Sequence, residues 1–126
     1  MRLAFEAVGG ECVLTSEIDA KAMRTYHSNF LPGDRHLCVK DVNSISGTDI
    51  ASVSNQLDVL VAGFPCQPYS IAGLRKSSQD GRGGEIFNSL VRILKESQPR
   101  SFLLENVKGI RSHDQGLTFK YMLERL

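Results

Sequence analysis

The chain has 126 residues, which is enough for one domain with one core. Hydrophobic residues make up 41% and charged residues 23%, a composition typical of a globular protein. There is no recognisable signal peptide and no apolar run of membrane-spanning length, so a membrane protein is not expected. The formal net charge of +1 excludes strong whole-molecule attraction to nucleic acid, and any such contact must come from a local patch or from another part of the protein.

Helical and extended patterns alternate along the chain. Strands are predicted at Cys12–Ser16, Leu37–Val39, Asp58–Ala62 and Ser101–Leu104, and the apolar strands Asp58–Ala62 and Ser101–Leu104 are expected to be buried. Helices are predicted at Met1–Val8, from Asp19 to Pro32, near Ile50–Val53 in an otherwise polar loop, from Ile86 to Pro99, and from Phe119 to Leu126. This alternation predicts an α/β fold in one domain over residues 1–126, with a mostly parallel sheet and helices on both faces.

The three cysteines, Cys12, Cys38 and Cys66, are widely spaced. An odd, scattered set predicts neither a disulfide framework nor a paired metal site, and it indicates a reducing cytoplasm. Cys12 and Cys38 are typical of small core residues. None of the three histidines is assigned to a metal.

Cys66 lies in a different setting, just beyond the apolar strand Asp58–Ala62. Pro65 and Pro68 stand on either side of it, and each proline restricts its own φ and the residue before it. A thiol on a stiff loop at the carboxyl end of a strand is placed where open α/β sheets carry out chemistry. The alternative is a structural buried cysteine, which is common but seldom bracketed by prolines.

Three acidic residues also follow predicted strands: Glu17, Asp41 and Glu105. In a parallel sheet these strand ends, with Cys66, would line one crevice. Glu17 suits ribose hydroxyls, with Ile18 as an apolar surface for a flat ring, or it caps a helix. Asp41 suits an adenine amine, or it begins a turn into Val42.

Glu105 follows the apolar residues Phe102-Leu103-Leu104, so its carboxyl is expected to be partly desolvated and to retain a proton more readily. A thiol facing a protonated acid suits nucleophilic attack on an electron-poor ring whose nitrogen becomes protonated as the bond forms.

The segment Gly63-Phe64-Pro65-Cys66-Gln67-Pro68, followed by Glu105-Asn106-Val107-Lys108-Gly109, resembles the DNA cytosine-5 methyltransferases. Ser16-Glu17-Ile18-Asp19 and Asp80-Gly81-Arg82-Gly83-Gly84 are also similar to that family, and the resemblance covers essentially the whole chain. It implies a Rossmann-like methyltransferase fold and S-adenosylmethionine as cofactor.

The resemblance also implies a mechanism. Cys66 as thiolate adds to carbon 6 of a flipped-out cytosine, Glu105 contacts ring nitrogen 3 and the exocyclic amine, and carbon 5 receives the methyl group. The implied cofactor-binding residues are Glu17, Ile18, Asp41, Val42 and Pro65. The implied substrate or DNA contacts are Phe64, Gln67, Ser70, Arg75, Lys76, Arg82 and Asn106.

The segment from Gln67 to Gly84 is predicted to be a long loop, and in the family resemblance it matches the loop that closes over DNA. Arg75 and Lys76 are as well explained by solvated loop charge as by phosphate contacts.

The chain departs from the family at both ends. Met1 aligns just after the family's first strand and Gly-rich cofactor loop, and the target-recognition region is absent. The sheet is therefore expected to have a gap, beside which neighbouring strands close up or another polypeptide pairs. We expect an N-terminal fragment of the catalytic domain, or a truncated gene product, that is inactive alone.

Two other functions remain open: an RNA cytosine-5 methyltransferase, and a non-catalytic fragment that binds a partner chain or DNA. The resemblance is to bacterial or phage-type enzymes of restriction-modification systems, which implies a cytoplasmic, nucleoid-associated location.

Overall fold

The computed structural model describes residues 1–30, 36–65 and 82–126, with side chains from residue 84 onward in the last range. The α-helices are α1 (Arg2–Glu6), α2 (Ala20–Asn29), α3 (Gly47–Val53), α4 (Arg82–Ser97) and α5 (Leu117–Arg125). The strands are β1 (Leu14–Ser16), β2 (Leu37–Val39), β3 (Val59–Gly63) and β4 (Ser101–Glu105). Short 3₁₀ helices lie at Val42–Ser44, Lys108–Arg111 and His113–Gly116.

All four predicted strands form, and they pair in parallel. β1 pairs with β2, with Leu14 opposite Leu37, and β3 pairs with β4, with Val59 opposite Ser101 and Gly63 opposite Glu105. The strands make two separate two-stranded sheets rather than one continuous sheet. Within the described residues, no strand hydrogen bonds join the two pairs, so neighbouring strands have not closed up into one sheet.

Helices cover both faces of the sheet formed by β1 and β2. Leu14 and Val39 pack on one face against the buried residues Ile45, Ile50 and Ile93 of the α3 and α4 layer. Thr15, the next residue of β1, points to the other face and meets Tyr26 of α2, because side chains alternate along a strand. This confirms the predicted α/β layering for this half of the molecule.

Helix α4 is the shared centre of the core. Its Ile93 belongs to the cluster beneath β1 and β2, which Leu60 of β3 also joins. Phe87 and Val91 of the same helix form a second cluster with Ile110 and Met122, against which Leu104 and Phe64 pack. Phe87 is only 2% exposed. Residues of both sheets therefore pack against α4.

The sheet formed by β3 and β4 is less covered than the sequence predicts. Phe102 is 46% exposed and Leu103 is 50% exposed, and only Leu104 of the apolar run is half-buried. The prediction of a strand at Ser101–Leu104 is therefore confirmed, but the prediction that this strand is buried is wrong.

The helix boundaries follow local capping chemistry. Asp19 Oδ1 accepts hydrogen bonds from the backbone N–H groups of Lys21 and Ala22, both at 2.8 Å, and so begins α2. Ser46 and Asp49 form a reciprocal capping box at the start of α3. This box lengthens the predicted short helix to Gly47–Val53.

The predicted loop from Gln67 to Gly84 is too long, because α4 begins at Arg82 and includes residues 82–84. Glu85 in the first turn suits the positive end of the helix dipole. None of the helices among the described residues combines the length and apolar composition that a bilayer-crossing segment needs.

Candidate active site

The carboxyl ends of β3 and β4 meet at the edge that carries the proposed chemistry. Gly63 and Glu105 are register partners, and Glu105 Oε2 lies 3.3 Å from the position that a Cβ on Gly63 would occupy. A side chain at residue 63 would therefore crowd the carboxylate. The methyl carbon of Met1 approaches the same position to 3.4 Å.

Asn106 ties together the loops that follow these two strands. Its Nδ2 donates to the carbonyl oxygen of Phe64 at 3.0 Å, and its Oδ1 accepts from the N–H of Val107 at 2.9 Å. Both ends of the amide are used within the chain. Sequence reasoning named Asn106 for DNA contact and missed this link, which requires knowing that the two strand ends are adjacent.

The first two residues beyond β3 differ in environment. The ring of Phe64 is half-buried and packs 6.0 Å, centroid to centroid, from that of Phe87. Pro65 is exposed. The backbone entering the predicted catalytic loop is thus anchored in the core by Phe64. Cofactor contact by Pro65 and DNA contact by Phe64 stay predictions.

Several predicted site residues lie outside the described residues: Cys66, Gln67, Ser70, Arg75 and Lys76. Arg82 is the first residue of α4, and its side chain is also outside the description.

Glu105 is exposed, so the expected partial desolvation of its carboxyl is wrong for this chain. The physical reason is the open surroundings of β4, in which Phe102 and Leu103 are themselves about half exposed.

The carboxyl ends of β1 and β2 hold the predicted cofactor residues. Glu17 Oε1 accepts from the N–H of Asp19 at 2.8 Å, and Asp41 Oδ1 accepts from the N–H of Asn43 at 2.9 Å. Each acid therefore stabilises its own turn. For Asp41 this is the predicted turn into Val42, whereas the helix after Glu17 is capped by Asp19 and not by Glu17. Among the described residues the second oxygen of each carboxylate accepts no hydrogen bond.

The apolar neighbours of these acids differ. Ile18 is 62% exposed and offers its side chain to solvent. Val42 is half-buried and packs against the cluster of Ile45, Ile50 and Ile93. Of the two residues, only Ile18 presents most of its apolar surface to a ligand.

A polar cluster between α1, α2 and β1 was not foreseen from the sequence. The hydroxyl of Tyr26 lies 2.7 Å from Thr15 Oγ1 and is hydrogen-bonded by Arg2, whose guanidinium stacks 4.4 Å from the ring centroid of Phe30. His36 Nε2 lies 2.9 Å from Thr15 Oγ1. The contacts join residues far apart in sequence, so no local pattern signals them.

Burial sets the protonation of this cluster. Burial, with smaller contributions from the charges of Arg2 and His27, lowers the pKa of His36. Burial also raises the pKa of Tyr26 against the opposing effect of its hydrogen bonds with Thr15 and Arg2. Cys12 lies within 3.8 Å of both Tyr26 and His36, so it is half-buried among polar groups rather than in the apolar core.

Among the described residues, no three His, Cys, Asp or Glu side chains come together in a group that could hold a metal ion.

The architecture matches that of a known methyltransferase. A crystal structure of the S. pombe Dnmt2 methyltransferase superposes with a TM-score of 0.63 and 20% sequence identity, covering 97% of this chain and 36% of that one. At this identity the likeness establishes the fold, which is an incomplete Rossmann-like α/β fold.

Sequence comparison adds the family. The family described as C-5 cytosine-specific DNA methylase matches residues 1–126, and the chain belongs to that family. Relatives include the type II methyltransferase M.NgoBI of Neisseria gonorrhoeae, 45% identical over 126 residues, and M.HpaII of Haemophilus parainfluenzae, 42% identical over 125. The DNA-cytosine methyltransferase of Escherichia coli K12 is 38% identical over 148 residues.

The matches cover 99–100% of this chain but only 31–37% of those three relatives. The chain therefore spans about a third of the length of the curated relatives that it matches.

Proposed function

We propose that this chain supplies the nucleophile and the acidic residue of a DNA cytosine-5 methyltransferase that uses S-adenosylmethionine. The single observation that supports this most directly is the in-register pairing of Gly63 with Glu105. It brings the strand end that leads through Phe64 and Pro65 into Cys66 beside the strand end that carries Glu105. The link from Asn106 to the Phe64 carbonyl, 3.0 Å long, fixes these two ends relative to each other.

The reaction assigned to these residues follows from their chemistry. The thiolate of Cys66 adds to carbon 6 of an extruded cytosine, while Glu105 delivers a proton to ring nitrogen 3 and accepts a hydrogen bond from the exocyclic amine. This addition places electron density on carbon 5. Carbon 5 would then receive the methyl group that the cofactor supplies. Loss of the carbon 5 proton to water and release of the thiol restore the aromatic ring and the free enzyme.

The ends of β1 and β2 fit the cofactor. Glu17 and Asp41 each commit one carboxylate oxygen to their own turn, which orients the other oxygen for a ribose hydroxyl or an adenine amine. The exposed side chain of Ile18 offers an apolar surface for the adenine ring. S-adenosylmethionine, when bound there, supplies the methyl group.

The open edges also bear on assembly. The two sheets are not hydrogen-bonded to each other within the described residues. We propose that an additional strand, from another segment or another polypeptide, can pair in this gap.

A chimera tests the catalytic assignment. The matching segment of M.NgoBI, which aligns with this chain over 126 residues, is replaced by residues 1–126. Transfer of a radiolabelled methyl group from S-adenosylmethionine to mixed-sequence DNA is then measured. We expect transfer by the chimera, its loss to background with Cys66→Ala, and a reduction of at least about a hundredfold with Glu105→Gln, in the range for a positioned acid.

The matched control is Cys38→Ala, which removes a half-buried thiol of β2 and should leave transfer close to that of the unmodified chimera. A Cys66→Ala chimera that still methylates at the unmodified rate would rule out the proposed nucleophile. The isolated chain, whose Glu105 is exposed, is expected to give no measurable transfer.

A further inference from the structure

The 3₁₀ turn Lys108–Arg111 follows the Glu105-Asn106 end of β4 directly. Its Ile110 is 5% exposed and is buried with Phe87, Val91 and Met122. A 3₁₀ helix has three residues per turn, so residues three apart lie on the same side. With Ile110 facing the core, Lys108 and Arg111 therefore share one outward side of a firmly anchored turn.

These two cations have no carboxylate partner among the described residues. Four other cations there, Arg2, Arg92, Arg100 and Lys120, each pair with an acidic side chain, and others such as Lys95 do not. Lys108 and Arg111 are both exposed, and they make no such pair. Two like charges on one side of a turn repel each other, and a bound anion would relieve that repulsion.

Gly109, between them, is not explained by the fold itself. Its φ is not in the left-handed region, and a Cβ placed on it would meet no heavy atom within 4 Å. Glycine is also favoured where a ligand approaches the backbone closely. Gly109 is exposed, so its open side faces solvent next to the two cations.

We propose that the turn Lys108–Arg111 is a phosphate-contact surface for duplex DNA, with Lys108 and Arg111 on backbone phosphates and Gly109 allowing close approach to the main chain. The inference rests on the proposed function, because the phosphates are those of the DNA that carries the target cytosine. Because the turn lies beside Glu105, these phosphate contacts would position the duplex relative to the Glu105 carboxyl group without sequence specificity.

The test measures binding of the 126-residue chain to a fluorescent mixed-sequence DNA duplex over a range of salt concentrations. A plot of the logarithm of the association constant against the logarithm of salt concentration should fall less steeply, by about one, in Lys108→Gln and in Arg111→Gln. This corresponds to roughly tenfold weaker binding near 0.1 M salt. Gly109→Ala should weaken binding several-fold with an unchanged slope and a urea midpoint no lower than that of the unmodified chain, since its Cβ meets nothing in the chain.

The matched controls are Lys95→Gln in α4 and Arg24→Gln in α2, which remove exposed cations that likewise make no ion pair among the described residues. They should retain the slope of the unmodified chain. The inference would be overturned if the controls lost as much affinity as the Lys108 and Arg111 variants. It would also be overturned if the unmodified chain did not bind the duplex at 50 mM salt, or if its affinity did not change with salt. Either result leaves the Cys66 chimera assay as a separate test of the proposed function.

Discussion

Asn106 holds its two loops through both ends of one amide. Replacing it by Ala removes the bond to the Phe64 carbonyl and leaves the N–H of Val107 without its acceptor. We expect Asn106→Ala to lower the free energy of unfolding by about 1–2 kcal/mol. Urea denaturation would measure this change.

Two comparisons sharpen the Asn106 experiment. Asn106→Asp keeps the acceptor for Val107 but places a carboxylate oxygen against the Phe64 carbonyl oxygen, so at neutral pH it should destabilise the chain at least as much as Asn106→Ala. Asn55→Ala, at an exposed asparagine with no side-chain hydrogen bond among the described residues, should change stability by less than about 0.5 kcal/mol. An Asn106→Ala midpoint equal to that of Asn55→Ala would show that the link is not formed.

His36 gives the chain a pH dependence. Its pKa is lowered in the folded state by burial first and by the Arg2 and His27 charges second, while Glu6 opposes the shift. The unfolded chain therefore takes up the proton first as the pH falls. The stability from this site is fully present above the ordinary histidine pKa, and it is lost as the pH decreases toward the lowered value.

Urea titrations between pH 7.5 and 5 should show a free energy of unfolding that falls with pH, by at most about 1.4 kcal/mol per pH unit for one proton. His36→Gln should flatten that slope, whereas His27→Gln, at an exposed position of α2, should keep most of it. A slope that is unchanged in His36→Gln would assign the pH dependence to other groups.

For single residues, the sequence predicted positions along the chain better than side-chain contacts. Glu17 and Asp41 were placed at strand ends correctly, but an acid between a strand and a helix can cap a turn or bind a ligand, and the same sequence pattern fits both roles. The structure shows the turn contacts of both. The cluster of Arg2, Thr15, Tyr26 and His36 could not be predicted, because it depends on packing between three elements.

Among the helices, the stability of α2 depends more on its N-terminal cap than on packing against the core. None of its ten residues is buried, and Asp19 provides its N-terminal cap with two hydrogen bonds of 2.8 Å. We expect Asp19→Ala to cost about 1 kcal/mol of stability, and Asp19→Asn, which retains the capping oxygen, to cost far less. Thermal unfolding followed by circular dichroism measures both, and equal losses in the two variants would contradict the capping role.

The strands and most helices were predictable because each has a local signal: an apolar run, a cap or a breaking proline. The start of α4 was not, because the glycines before Glu85 are typical of a loop, yet residues 82–84 are helical. The exposure of β4 was also missed. An apolar run specifies a strand, but what covers it is decided by other parts of the molecule.

Across the whole molecule, α4 is the element that the core is built on, and stability should be graded outward from it. Its Phe87, Leu90, Val91 and Ile93 are at most 4% exposed, whereas α1 and α2 contain no buried residue. Native-state hydrogen exchange should therefore show the slowest amides in the middle of α4 and faster exchange in α2. Amides of α2 that exchange as slowly as those of α4 would contradict this grading.

The half-exposed Phe102 and Leu103 of β4 have a practical consequence for anyone handling the protein. A short strand with an exposed apolar surface and an unpaired edge can associate with other copies of the chain. The purified protein should stay in solution at low concentration and precipitate as it is concentrated. A mild detergent or a charged residue at position 103 should raise the concentration at which it precipitates.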